Sequence, residues 1–293
     1  MITLIKIDEV RALVKAARHD GKGIGFVPTM GALHAGHASL IEQAKRQSDF
    51  VVVSIFVNPT QFAPTEDLSA YPRTPQQDEQ LCTSAGADAI FMPSVDEMYG
   101  SHGRDAHATQ TQPVPMTSIS VEALSQTLCG ASRQGHFAGV CTVVAKLFNI
   151  VQPDKAFFGA KDFQQATIIR RMTADLNFPI EIVICPTVRE SDGLAMSSRN
   201  RYLSPQERQQ AAGLNQSLQL ARKLILDSHP AAAEIIAAIV SHISQAVPLG
   251  VIDYVKIVDP NTLSDVQTTN EPVLIAIAVK VGKARLIDNI VVD

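Results

Sequence analysis

Along the first two thirds of the chain, short apolar runs alternate with segments of helical period. Ile7, Val10, Val14 and Ala17 share one helical face, and the glycines Gly21, Gly23 and Gly25 end that helix around an apolar run at 24–28. Further buried strands are expected at 51–57, where Asn58-Pro59 breaks the run, and at 87–92 after a helix over about 75–85. Helical spacing returns over 139–151 and 162–176, with short strands between and after at 155–159 and 180–185. Residues 94–118 scatter Gly, Pro, Ser and His without a period and read as loop with short strands. Such alternation predicts an α/β fold: a Rossmann-like, mainly parallel sheet with helices on both faces. Ligands then bind beyond the carboxyl ends of the strands.

The pattern changes after Pro186. Two helices, about 205–227 and 231–246, precede apolar segments at 251–258, 272–281 and 284–288, the last two forming an antiparallel hairpin around Gly282-Lys283. The expected organisation is a Rossmann-like domain over 1–186 and a smaller α+β domain over 187–293. No internal repeat or low-complexity tract interrupts either.

Composition narrows the function classes. The 293 residues, 46% apolar and 18% charged, can bury the core of a globular enzyme. A net charge of −4 argues against nucleic acid as a partner. Cys82, Cys129, Cys141 and Cys185 are unclustered, which suits a reducing, cytoplasmic location. Lys6, Asp8 and Glu9 break the N-terminal apolar residues, unlike a secretory signal, and no apolar run is long enough to cross a membrane.

The chemistry concentrates in four segments. Pro28-Thr29-Met30-Gly31-Ala32-Leu33-His34-Ala35-Gly36-His37 follows a strand and opens a helix, whose unpaired N–H groups and partial positive charge suit phosphate. His34 and His37 would add donors on nearly one face, and Gly36 leaves room for a flat base. Zinc is the alternative for a His-x-x-His pair, but the four cysteines supply no close ligand pair. Gly21, Gly23 and Gly25 precede their strand and act as a helix stop, and no Walker sequence is present. Phe157-Phe158-Gly159-Ala160-Lys161-Asp162-Phe163-Gln164-Gln165 repeats the strand–polar–helix order. Gly159 permits close approach, Lys161 supplies a point charge, Asp162 can cap the helix, and Gln165 offers an amide one turn on. Met196-Ser197-Ser198-Arg199 sets two hydroxyls before a guanidinium, a flexible clamp for phosphate oxygens at the domain junction. Val57-Asn58-Pro59-Thr60-Gln61-Phe62 suits a small hydroxy acid with an aliphatic body, and equally suits a turn.

Together with Tyr71-Pro72-Arg73-Thr74, the run GHFAGV at 135–140 and the run 186–204, these segments resemble the pantoate–β-alanine ligase family of the HIGH-motif nucleotidylyltransferases, in the family's order. Two positions depart from it, Ala35 and Ala160, where the family usually has Glu. The resemblance implies two steps. Pantoate attacks the α-phosphorus of ATP, giving pantoyl adenylate and pyrophosphate; β-alanine then attacks the mixed anhydride, giving pantothenate and AMP. It implies an ATP site of Met30, Gly31, Ala32, Leu33, His34, Ala35, Gly36, His37, Gly159, Ala160, Lys161, Asp162, Val188, Met196, Ser197, Ser198 and Arg199. Gln61 and Gln165 would bind pantoate, with Gln61 also near β-alanine. Catalysis would fall to His34, His37, Lys161, Ser197, Ser198 and Arg199, with Mg²⁺ bridging phosphate oxygens. The family names His37 as a proton donor, whereas the residues themselves suit charge stabilisation equally. Asp78 is the candidate magnesium contact, with an ordinary exposed helix residue as its alternative. A homodimer is implied as well. Another nucleotidyltransferase of the superfamily, or a silent nucleotide-binding protein, is the competing expectation.

Overall fold

The structure is a computed structural model and describes residues 1–64, 66–100 and 116–293. The chain divides into two compact units. The first holds Met1–Ser125, Ser132–Ala160 and Gln165–Cys185; the second holds Gln126–Ala131, Lys161–Gln164 and Pro186–Asp293.

In the first unit the chain runs through β1 (Ile2–Leu4), α1 (Ile7–His19), β2 (Ile24–Thr29), α2 (Ala35–Gln47), β3 (Phe50–Ile55), α3 (Pro75–Ala85), β4 (Ala89–Phe91) and α4 (Val95–Tyr99). The short helix α5 (Glu122–Ser125) precedes α6 (Cys129–Ser132), most of which belongs to the second unit, and the first unit resumes with α7 (His136–Val151), β5 (Lys155–Gly159), α8 (Phe163–Asp175, from Gln165 on) and β6 (Glu181–Cys185). The six strands form one parallel sheet in the order β1-β4-β3-β2-β5-β6. Strand order reverses between β2 and β5, which pair through Gly25–Lys155 and Phe26–Ala156. A crevice for ligands opens beyond the carboxyl ends of strands at such a reversal.

Alternation along the strands explains the helix layers. Val27, Val51, Val53, Ile55 and Phe157 share a core cluster with Leu40, Ile41 and Ala44 of α2 and Cys82 and Ala85 of α3. Phe26 points the other way and meets the Phe148 ring of α7 edge-on at 6.5 Å. Both faces are therefore covered, as the near-continuous apolar strands require.

Three differences from the periodicity are informative. Residues 2–4 form a strand, because pairing with Ala89–Phe91 supplies hydrogen bonds that three residues cannot announce. Residues 95–99 are helical rather than loop or strand, capped by Ser94 accepting the Glu97 N–H; residues 101–115 of the expected loop lie outside the described ones. The last strand runs beyond 288 to 292, since Asp288 and Asn289 interrupt the apolar pattern without interrupting the ladder.

The second unit contains α9 (Pro205–Ser228), α10 (Ala232–Ala246), β7 (Gly250–Val258), β8 (Val273–Val281) and β9 (Ala284–Val292). Ser204 and Glu207 form a reciprocal capping box around Pro205, which fixes where α9 starts. The three strands form an antiparallel sheet with β8 in the middle. Leu214, Leu218 and Ile225 of α9 and Ile235, Ile239 and Ile243 of α10 pack on Ile275, Ile277 and Val279 of β8. Among the described residues, no helix is long and apolar enough to cross a membrane.

Candidate active site

The carboxyl end of β2 leads into a turn that the backbone alone would resist. Gly31 and Ala32 both have left-handed φ, 84° and 51°, and the alanine costs about 1 kcal/mol there. Asp78 holds the turn. Its Oδ2 accepts the Ala32 N–H at 3.0 Å, and its Oδ1 accepts the Leu33 N–H at 2.8 Å and the Thr74 hydroxyl at 3.0 Å. The residue is 2% exposed, so it is not the exposed helix residue that its sequence context allowed. Three hydrogen bonds occupy both of its oxygens, and that anchoring is the job the geometry gives it.

The turn delivers two histidines to the start of α2, though not as two side chains on a helix face. His34 is the N-cap, and its Nδ1 accepts the Gly36 N–H at 3.1 Å. His37 stands at the third helical position, and its Nδ1 accepts the His34 N–H at 3.3 Å. This is the reciprocal capping box usually built from Ser or Thr and Glu, made here by two imidazoles. Because each Nδ1 accepts, each neutral ring carries its proton on Nε2. The rings lie 4.2 Å apart, centroid to centroid. The first turn of α2 has no acidic residue, so the positive field of the helix start is not offset there by its own side chains.

Gln61 is oriented by a chain of donors. Burial pushes the Tyr99 phenol up, keeping it protonated, and its hydroxyl donates to Asn58 Oδ1 at 2.7 Å. The Asn58 amide nitrogen then donates to Gln61 Oε1 at 3.1 Å and to the Gly139 carbonyl at 3.2 Å. Gln61 therefore presents its Nε2 end, which lies 3.1 Å from Met30 Sδ. From the other side, His136 Nδ1 meets the Gln61 carbonyl at 2.9 Å and must donate to it. His136 Nε2 consequently accepts from Arg133 Nη1 at 3.0 Å. Glu66 completes the relay with Arg133 at 2.6 and 2.7 Å. Burial works to raise the Glu66 carboxyl, but the Arg133 hydrogen bonds win and hold it below the usual carboxylate range.

Gly139 is what lets α7 lie so close. A Cβ there would stand 2.5 Å from the Thr60 carbonyl oxygen and 2.7 Å from Gln61 N. Gly139→Ala is expected to destabilise the protein by about 1–3 kcal/mol through overpacking against backbone. An unchanged denaturant midpoint in that variant would count against the close packing.

In the second unit, Lys161 lies in the 3₁₀ turn Ala160–Asp162, with its ammonium 3.7 Å from Asp162 Oδ1. Gln164 is buried and structural. Its amide accepts the Cys129 N–H at 3.0 Å and donates to the Thr127 carbonyl at 2.7 Å. Gln165, on α8, is half-buried and belongs to the first unit.

Residues 188–196 lead into the segment Met196–Arg199 read as a phosphate clamp. They form a hairpin, with Met196 N–H donating to Val188 O at 3.0 Å and Glu190 N–H to Leu194 O at 2.8 Å. Arg208 binds Glu190 Oε2 at 2.6 Å and also pairs with Asp192, whose carboxyl it holds below its ordinary value. Asn200 adds bonds to Glu190 Oε1 at 2.8 Å and the Ala195 carbonyl at 3.2 Å. Ser197 then caps a 3₁₀ turn over Ser198–Tyr202, its Oγ accepting the Arg199 N–H at 3.3 Å. The structure thus groups Met30–His37 with Gln61 in the first unit, and Lys161 with Val188 and Met196–Arg199 in the second.

A protein cage for a metal is missing among the described residues, where no three His, Cys, Asp or Glu side chains come together. Asp78 and His136 entered the sequence reading without the roles found here, and Tyr99 and Arg133 were not singled out at all. Their signal lies in long-range hydrogen bonds, which spacing does not carry.

Known proteins give the geometry a context. Residues 2–291 match the family model described as pantoate-beta-alanine ligase. A pantothenate synthetase of Moorella thermoacetica is 52% identical over 293 residues, 100% of this chain and 99% of that protein. The crystal structure of pantothenate synthetase from Thermus thermophilus superposes with a TM-score of 0.90 at 44% identity, covering 99% of both chains. A pantoate-beta-alanine ligase from Francisella tularensis, complexed with beta-gamma ATP and beta-alanine, gives a TM-score of 0.78 at 34% identity, over 99% of this chain and 97% of that one.

Proposed function

The chain belongs to the pantoate–β-alanine ligase family, and from that membership we propose how its residues divide the reaction. The enzyme joins pantoate to β-alanine at the expense of ATP. The single observation that carries the residue assignment is the imidazole capping box, which puts two Nε2–H donors at an unquenched helix start.

In the first step the pantoate carboxylate attacks the α-phosphorus and pyrophosphate leaves. A carboxylate is ionised at neutral pH, so no strong base is needed. The demand is alignment and stabilisation of charge moving onto the phosphates. We assign that to His34 and His37 with the backbone of Met30–Leu33, Ala35 and Gly36. Lys161 acts beside Gly159, Ala160 and Asp162, and Ser197, Ser198 and Arg199 beside Val188 and Met196. Gln61 Nε2 and Gln165 donate to pantoate. In the second step the amine of β-alanine, near Gln61, attacks the acyl carbon, AMP leaves, and the amine gives up a proton.

Mg²⁺ is proposed to arrive with the triphosphate. Asp78 does not fit a resident metal site, because its oxygens hold the Ala32 and Leu33 N–H groups. No step is routed through the ion. A homodimer and a cytoplasmic location complete the proposal; the four cysteines are buried and unbridged, as a reducing compartment allows.

The test is release of pyrophosphate and AMP with each substrate omitted in turn. Pyrophosphate release should need ATP and pantoate but not β-alanine, and steady AMP release should need all three. Pyrophosphate release that is indifferent to pantoate would overturn the two-step assignment.

A further inference from the structure

Two adjacent residues of β9, far along the chain from the motifs, reach both phosphate-binding segments of the second unit. Asp288 is 2% exposed and grips Arg189 through both carboxylate oxygens, at 2.7 and 3.0 Å. Arg189 also donates to the Gly193 carbonyl at 3.0 Å, so the pair fixes the hairpin that carries Met196–Arg199. Asn289 follows on the strand and so projects to the opposite face. Its amide nitrogen donates to the Lys161 carbonyl at 2.8 Å. The Asn289 N–H donates to Asp288 Oδ1 at 2.8 Å, which ties the two contacts to each other. Strand β9 pairs with β8 along its whole length, including Asp288 with Ile277 and Asn289 with Ala276. The dipeptide is therefore mounted on a rigid element, which is what positioning a reactive group requires.

We propose that Asp288 and Asn289 are positioning residues for adenylate formation: Asn289 sets the Lys161 main chain, and Asp288, through Arg189, sets the hairpin before Ser197, Ser198 and Arg199. Neither touches substrate. The inference rests on the assignment of Lys161 and the 196–199 loop to the triphosphate, so its test must separate the two. Asn289→Asp keeps the shape but loses the N–H donor and sets a carboxylate against the Lys161 carbonyl. Asn289→Gln keeps an amide donor.

Single-turnover adenylate formation is measured in wild type, Asn289→Asp, Asn289→Gln, Asp288→Asn, Lys161→Ala and the double variant Lys161→Ala/Asn289→Asp, with folding checked by circular dichroism. Asn289→Asp should slow the step by about 10- to 100-fold, with KM for pantoate within about twofold. Asn289→Gln should recover part of the rate. In the Lys161→Ala background Asn289→Asp should add almost nothing, because a residue acting through another is silent once that one is gone. Asp288→Asn, which leaves the half-buried Arg189 guanidinium short of its partner, serves as the second probe, with hydrogen exchange over 188–199 rising as the rate falls. If Lys161→Ala is slow while folded Asn289→Asp runs at the wild-type rate, or if the two losses multiply in full, the positioning role is overturned and the site assignment stands. If Lys161→Ala itself runs at the wild-type rate, both fall.

Discussion

A folded Lys161→Ala variant should lose adenylate formation by about 10²–10³-fold, the range for removing one preorganised donor from developing charge. Lys161 follows β5 directly, and β5 borders the point where strand order reverses. Its side chain is 19% exposed, and its ammonium sits 3.7 Å from Asp162 Oδ1. That distance is attraction without a hydrogen bond, readily outcompeted by a triphosphate. Ala160 matters too, since an acidic residue there would place a second negative charge beside the ammonium. The pair with a half-exposed Asp162 adds little to stability, so the loss should be kinetic and the thermal midpoint should barely move. Lys161→Arg, which keeps the charge but not the compact ammonium, should recover only part of the rate. A folded Lys161→Ala enzyme within fivefold of wild type in single-turnover adenylate formation would sink the assignment.

How much of this was written in the sequence depends on how far each residue reaches. Strand 155–159 was legible because Ala156, Phe157 and Phe158 are all buried in a parallel sheet, which demands a continuous apolar run. The helix expected at about 205–227 is α9, and the capping box of Ser204 and Glu207 is the local reason it starts there. Residues 2–4 were not legible, since only β4 makes them a strand. The histidines were legible as donors and illegible as caps, because a capping box is normally spelled with hydroxyl and carboxyl side chains. The burial of Asp78 was illegible for a related reason. Its partners Ala32 and Leu33 lie 46 and 45 residues away, and what they need, two N–H groups held in a strained turn, leaves no mark on spacing. Asp288 and Asn289 likewise look like breaks in an apolar strand until their partners are seen 99 and 128 residues away.

The division of labour between the two imidazoles can be settled by substituting His37, because the structure separates its two jobs. Nδ1 caps the helix by accepting the His34 N–H, whereas the donor at Nε2 is proposed to serve phosphate. Gln and Glu are the residues usually found at this third helical position, and both can keep the cap. His37→Gln should therefore retain stability and lose part of the rate, its amide being a weaker and differently placed donor. His37→Ala should lose the donor outright, about 10²–10³-fold, and some helix stability with the cap. His37→Glu should be as stable as His37→Gln and slower than His37→Ala, because a carboxylate then faces the triphosphate. A His37→Glu enzyme faster than His37→Ala would mean the cap, not the donor, is what catalysis needs. The proton question is answered by pH. A neutral ring donates from Nε2 while Nδ1 holds the cap, and protonating Nδ1 would break the cap. The ratio of wild-type to His37→Gln rates, which cancels the titrations of ATP and pantoate common to both, should stay level from about pH 7 to 8.5. It should fall once the medium is acid enough to protonate Nδ1 and break the cap. A ratio that falls as pH rises would instead make His37 an imidazolium that gives its proton away.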